Sequence, residues 1–113
     1  MNEAKVAIQK SKWKGAIEGY RQALELKPDA KVAKTGLGIA LVMSETGFKE
    51  AVPLLQDGVK TERANAQAWL ALGMAFQNLG NDREAKGPYQ KYLKLKPNGA
   101  MADEVRAALD QLK

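Results

Sequence analysis

The chain contains neither cysteine nor histidine. The first absence removes disulfides, thiolate metal sites and thiol nucleophiles. The second removes the commonest general base and the commonest metal ligand. Catalysis would then rest on carboxylates, lysine, tyrosine or hydroxyls, and no paired arrangement of these stands out, so the chain reads as a non-enzyme. Gly36-Leu37-Gly38 begins like a dinucleotide loop, but Leu41 occupies the closing glycine position and no strand precedes it. The acids form no dense alternating loop for a hard cation. No cofactor and no metal are therefore expected. Long apolar runs are missing too, and the opening Met1-Asn2-Glu3-Ala4-Lys5 lacks the apolar stretch of a signal peptide. The expectation is a cytoplasmic protein without a membrane span, or a piece of a longer exported or anchored one.

What is present is ordinary for a folded domain. Of 113 residues, 45% are hydrophobic and 27% charged, which supports one domain around one core. The net charge of +5 is uneven: residues 1–34 hold eight Lys/Arg against four Asp/Glu, and residues 66–99 five against two. Such a balance permits attraction to acidic protein, nucleic acid or anionic lipid without choosing among them.

Every periodic stretch reads as helix. A short segment over 2–10 precedes one over 12–27 that carries Trp13, Ala16, Ile17, Tyr20, Ala23 and Leu24 and stops at Lys27-Pro28. Asp29 is the expected cap of a helix over about 30–45. Gly47 breaks it before another over 48–61. A helix over 65–79 ends at Leu79-Gly80-Asn81, Asp82 is the expected cap of the next over 83–95, and Lys96-Pro97-Asn98-Gly99 closes that one. A last helix over 100–112 carries Met101, Val105, Ala108, Leu109 and Leu112. The sum is seven helices and no strand.

These helices repeat. Pro28, Arg63 and Pro97 recur at separations of 35 and 34, as do Tyr20, Leu55 and Tyr89, and Gly73 follows Gly38 by 35. Such a period describes stacked helix pairs. Trp69, Leu72, Gly73, Phe76, Ala85, Tyr89 and Pro97 resemble the pattern of the tetratricopeptide repeat (TPR) family, with weaker copies upstream. The resemblance implies an all-α fold, an α-solenoid of three helix pairs plus a C-terminal capping helix, forming one domain over 1–113. Repeat 1 would span about 1–30 with a truncated first helix, repeat 2 about 31–65, repeat 3 about 66–99 and the cap about 100–112. It places Gly73 opposite Ala85, Gly38 opposite Ala51 and Ala4 opposite Ala16, with Ala23 and Gly58 admitting the following repeat. Lys34 stands where repeat 3 has Trp69, and Tyr92 stands where the earlier copies have Ala23 and Gly58.

By the same resemblance, the first helices line a concave face that binds a peptide or helix of a partner protein. Those positions are Val32, Thr35, Ile39, Val42 and Met43 in repeat 2, and Gln67, Leu70, Met74, Gln77 and Asn78 in repeat 3. A TPR subtype holds acidic chaperone tails with a clamp of Lys, Asn and Arg. Here the clamp positions fall on Met1, Lys5, Gly36, Gln67 and Ala71, none of which keeps the required chemistry, so chaperone tails are not the expected ligand. Two alternatives remain: nucleic-acid binding by the basic surface, as in pentatricopeptide RNA readers, and a homo-oligomer formed through the truncated N-terminal end. The ending Tyr89-x-x-Tyr92-Leu93-x-Leu95-x-Pro97, followed by Glu104-Val105-Arg106-Ala107, resembles bacterial TPR proteins of assembly and secretion systems.

Overall fold

The computed structural model is helical throughout apart from short turns, and it carries Pro53 and Pro88 inside helices and not only at their ends. It describes residues 3–112, with side chains from residue 12 onward. Among the described residues six helices are present, α1 (Glu3–Leu26), α2 (Lys31–Met43), α3 (Phe48–Thr61), α4 (Ala66–Asn78), α5 (Asp82–Leu95) and α6 (Ala102–Gln111). The periodicity predicts seven. The difference lies in α1, where Gln9-Lys10-Ser11-Lys12 contains neither glycine nor proline and the two predicted segments merge into 24 residues of continuous helix. Ala4 and Ala16 therefore lie on one helix and cannot face each other across a pair; the side chain of Ala4 lies outside the described residues.

The caps also differ from expectation. The N-cap of α2 is Ala30 and that of α5 is Asn81, and neither makes a side-chain cap bond, so Asp29 and Asp82 do not serve there. Asn65 does: its Oδ1 accepts the Ala68 amide at 3.1 Å at the start of α4.

Packing follows the repeat. α2 lies against α1, α3 and α4; α4 lies against α2, α3 and α5; α6 rests on α5. Flanked on three sides, α2 and α4 supply much of the core, and Ala40, Val42, Ala68, Ala71 and Ala75 are fully buried. Close approach is made by glycine against a large side chain, one helical turn from the alanines the pattern indicates. A Cβ at Gly73 would sit 2.7 Å from the Tyr89 ring, and one at Gly38 would sit 2.7 Å from Leu55. At Gly58 the nearest side chain is that of Thr35, from its own pair's first helix. The last helix is tied down by polar contacts: Arg106 donates to the Pro97 carbonyl at 2.6 Å and to Asp103 at 3.1 Å, and the Met101 amide donates to the Tyr92 hydroxyl at 3.3 Å. That last bond accounts for a bulky tyrosine where the earlier repeats have alanine and glycine.

Candidate functional site

The first helices α2 and α4 touch, whereas α6 leans on α5 and leaves a gap beside α4. Helical spacing puts Leu70, Met74, Gln77 and Asn78 on one side of that gap. Met101, Glu104, Val105 and Ala108 of α6 form the other side, with Tyr89 of α5 between them, and the cleft measures about 210 Å³. Leu70 and Val105 are buried at its base, while Met74, Gln77 and Ala108 are half-buried and Asn78, Met101 and Glu104 line its mouth.

Hydrogen bonds fix the polar groups here. The Tyr89 hydroxyl donates to Gln77 Oε1 at 2.6 Å, which turns the Gln77 amino group outward as a donor. The Asn78 amino group donates to the Met74 carbonyl at 2.9 Å, which leaves Asn78 Oδ1 as an acceptor beside it. Burial pushes the Tyr89 phenol up to about 12, so it stays protonated and keeps the Gln77 orientation over the ordinary pH range.

Four of the ten residues predicted for the concave face thus meet in one cleft. The other six do not. Thr35 and Val42 are sealed and Ile39 is only 9% exposed: Thr35 packs against Gly58 of α3, and Ile39 and Val42 belong to the core that α2 shares with α3 and α4. Val32 is 72% exposed in the first turn of α2, and Gln67 is exposed in the first turn of α4, both away from the cleft. Met43 lines a separate groove of about 480 Å³ with Lys12, Trp13 and Ala16. The α6 wall is the part that sequence does not anticipate. Its apolar stripe signals packing, and the gap depends on how far α6 stands from α4, which no pattern in α6 encodes.

Among the described residues the clamp positions hold no clamp chemistry. The Tyr20 ring covers Gly36, Ala71 is fully buried, and Gln67 is neutral and exposed. Met1 and the side chain of Lys5 lie outside the described residues. Cations gather elsewhere: Lys31, Lys34 and Lys60 line a hollow near the start of α2, but Asp29 and Asp57 share it. Lys91 stands 5.9 Å from the centroid of the Trp69 ring, whose indole N–H donates to the Arg63 carbonyl at 2.9 Å. Among the described residues there is no acidic cluster suited to a metal ion, and no helix is long and apolar enough to cross a membrane.

Comparison with known proteins bears on the fold. A family model described as Tetratricopeptide repeat matches residues 1–104. Among solved structures, the chain is similar to the first TPR of Spaghetti (RPAP3) bound to the HSP90 peptide SRMEEVD, with TM-score 0.73 and 24% identity over 99% of this chain and 96% of that one. It is also similar to the Arabidopsis OM64 TPR domain, with TM-score 0.74 and 19% identity over 100% of this chain and 98% of that one. At such identities the likeness establishes the fold. No curated protein sequence matches the chain.

Proposed function

The chain belongs to the tetratricopeptide repeat family, and from that premise we propose that it is a non-catalytic scaffold whose concave side, at the α4–α6 cleft, holds a peptide or helix of a partner protein. The observation that carries this reading is the meeting of Leu70, Met74, Gln77 and Asn78 with the α6 residues Met101, Val105 and Ala108 around one open hollow. Apolar walls with a few fixed polar groups are what a peptide side chain and its neighbouring amide require. Methionine on both walls adapts its shape to different side chains. Nucleic acid suits the cleft poorly, because among the described residues no lysine or arginine lines it.

The test is affinity capture with the wild-type domain beside a Met74→Asp/Ala108→Asp variant, both checked by circular dichroism. These positions are only half-buried, so the variant should stay folded; Ile39 is unsuitable because aspartate there would be buried in the core. The reading expects partners retained by the wild type and lost by the variant. Equal retention by both would remove the cleft as the binding site.

A further inference from the structure

We infer that the α4–α6 cleft selects a partner segment in which one aromatic or large aliphatic side chain stands next to a lysine or arginine. This deepens the reading above and rests on it. Size comes first. An apolar cavity of about 150 Å³ accommodates benzene, and the cleft measures about 210 Å³, so it has room for a single ring or a branched side chain. The apolar surfaces of Leu70, Val105 and Ala108 surround that space.

Charge decides the neighbour. Among the described residues lining the cleft Glu104 is the one charged group; it is exposed at the mouth and has no ion-pair partner among the described residues. Asp103, beside it on α6, already engages Arg106 at 3.1 Å. Asn78 Oδ1 adds a second outward acceptor, and the Gln77 amino group is the one outward donor identified there. The mouth is thus acceptor-rich and negative on a chain whose net charge is +5. A cation beside the anchoring side chain would meet Glu104 and Asn78, while Gln77 could donate to a backbone carbonyl. An acidic segment would meet a carboxylate with no cation among the described lining residues to offset it. The expected ligand is therefore opposite in charge to an acidic tail.

The experiment is selection of a displayed library of short random peptides on the full chain, followed by fluorescence polarisation of the enriched peptides. Enrichment of an aromatic or large aliphatic residue beside Lys or Arg supports the inference. So does weakening of about fivefold in Glu104→Gln, the size of one exposed charge contact of about 1 kcal/mol, with no change in the distant control Glu18→Gln. An acidic consensus, or unchanged binding in Glu104→Gln by peptides that Met74→Asp abolishes, overturns the charge assignment and leaves the cleft intact as a site. Peptides that bind Met74→Asp as they bind the wild type overturn the site itself, and a selection that enriches nothing counts against both.

Discussion

Glu45 and Gly80 occupy the same left-handed backbone position 35 residues apart, with φ of 59° and 81°. Both end a first helix in a Schellman turn. The Thr46 amide bonds the Leu41 carbonyl at 3.1 Å and the Glu45 amide bonds Val42 at 3.0 Å. The Asn81 amide bonds Phe76 at 2.8 Å and the Gly80 amide bonds Gln77 at 3.1 Å. One turn uses the residue suited to that conformation and the other does not. A side chain there costs roughly 1–2 kcal/mol, against roughly 0.5–1 kcal/mol for the extra freedom glycine has when unfolded. Glu45→Gly should therefore stabilise the domain by roughly 0.5–1 kcal/mol, and Gly80→Ala should destabilise it by a similar amount. Urea midpoints should move in these opposite directions with the slope unchanged. A lower midpoint for Glu45→Gly would show that the turn is not strained.

Two other glycines should also respond oppositely to alanine. Gly19 lies inside α1 with nothing within 4 Å of the point a methyl group would occupy, so Gly19→Ala gains helix propensity of about 1 kcal/mol. Gly73 lies 2.7 Å, at its would-be Cβ, from a Tyr89 ring that is buried and held by Gln77. Gly73→Ala must displace that ring, and overpacking of this kind costs about 1–3 kcal/mol. Thermal unfolding of the two variants should bracket the wild type. Equal shifts would mean that α4 and α5 can separate without penalty.

These residues also mark how far the sequence is legible. Helices α3 to α6 and the turn at Gly80 follow from punctuation that sequence carries openly: proline, glycine and apolar spacing. Leu70, Met74, Gln77 and Asn78 follow from the repeat position alone. Continuity of α1 is harder, because repeat arithmetic requires a turn near Ser11 while the local residues have no means of making one. Thr35, Ile39 and Val42 occupy positions equivalent to Leu70, Met74 and Gln77, but Thr35 packs against Gly58 of α3 and Ile39 and Val42 enter the core shared with α3 and α4, while Met74 and Gln77 stay half-buried. Equivalent positions in a repeat share geometry but not neighbours, and an internal repeat loses exposed surface that the next one retains.

Tyr89 links the core to the cleft and should be visible in alkaline stability. Its phenol titrates at about 12 when folded, raised from 10 by burial. Between those values the unfolded chain has released the proton and the folded chain has not, so stability falls as pH rises through the interval. The loss from this group should reach the order of 2 kcal/mol by pH 12. Tyr89→Phe removes it along with the Gln77 bond. The variant should be about 1 kcal/mol less stable at neutral pH yet decline less steeply above pH 10. Parallel alkaline unfolding curves would show that the hydroxyl is not shielded from water.

The α1–α3 connection offers the last test. Arg21 donates to both carboxylate oxygens of Glu50, at 2.7 and 2.9 Å, across 29 residues of sequence. α1 packs on α2, so this fork is a direct tie between α1 and α3. The hydrogen bond from Arg21 holds the Glu50 carboxyl below its usual range, against the opposing effect of burial. A depressed carboxylate stabilises the fold above its unfolded pKa and loses that contribution as pH falls through the folded value. Both side chains are nearly half exposed, so solvent limits the coupling to roughly 0.2–1 kcal/mol. Glu50 also sits in the first turn of α3, where any acid favours the helix dipole. A single substitution would mix the two effects. The Arg21→Ala/Glu50→Ala double-mutant cycle separates them, because the dipole effect cancels between its two arms. The coupling should be present at pH 7 in low salt, shrink as salt screens it, and vanish once Glu50 is protonated. A coupling that persists unchanged into acid would mean that the pair acts through packing of the Arg21 stem and not through its charge.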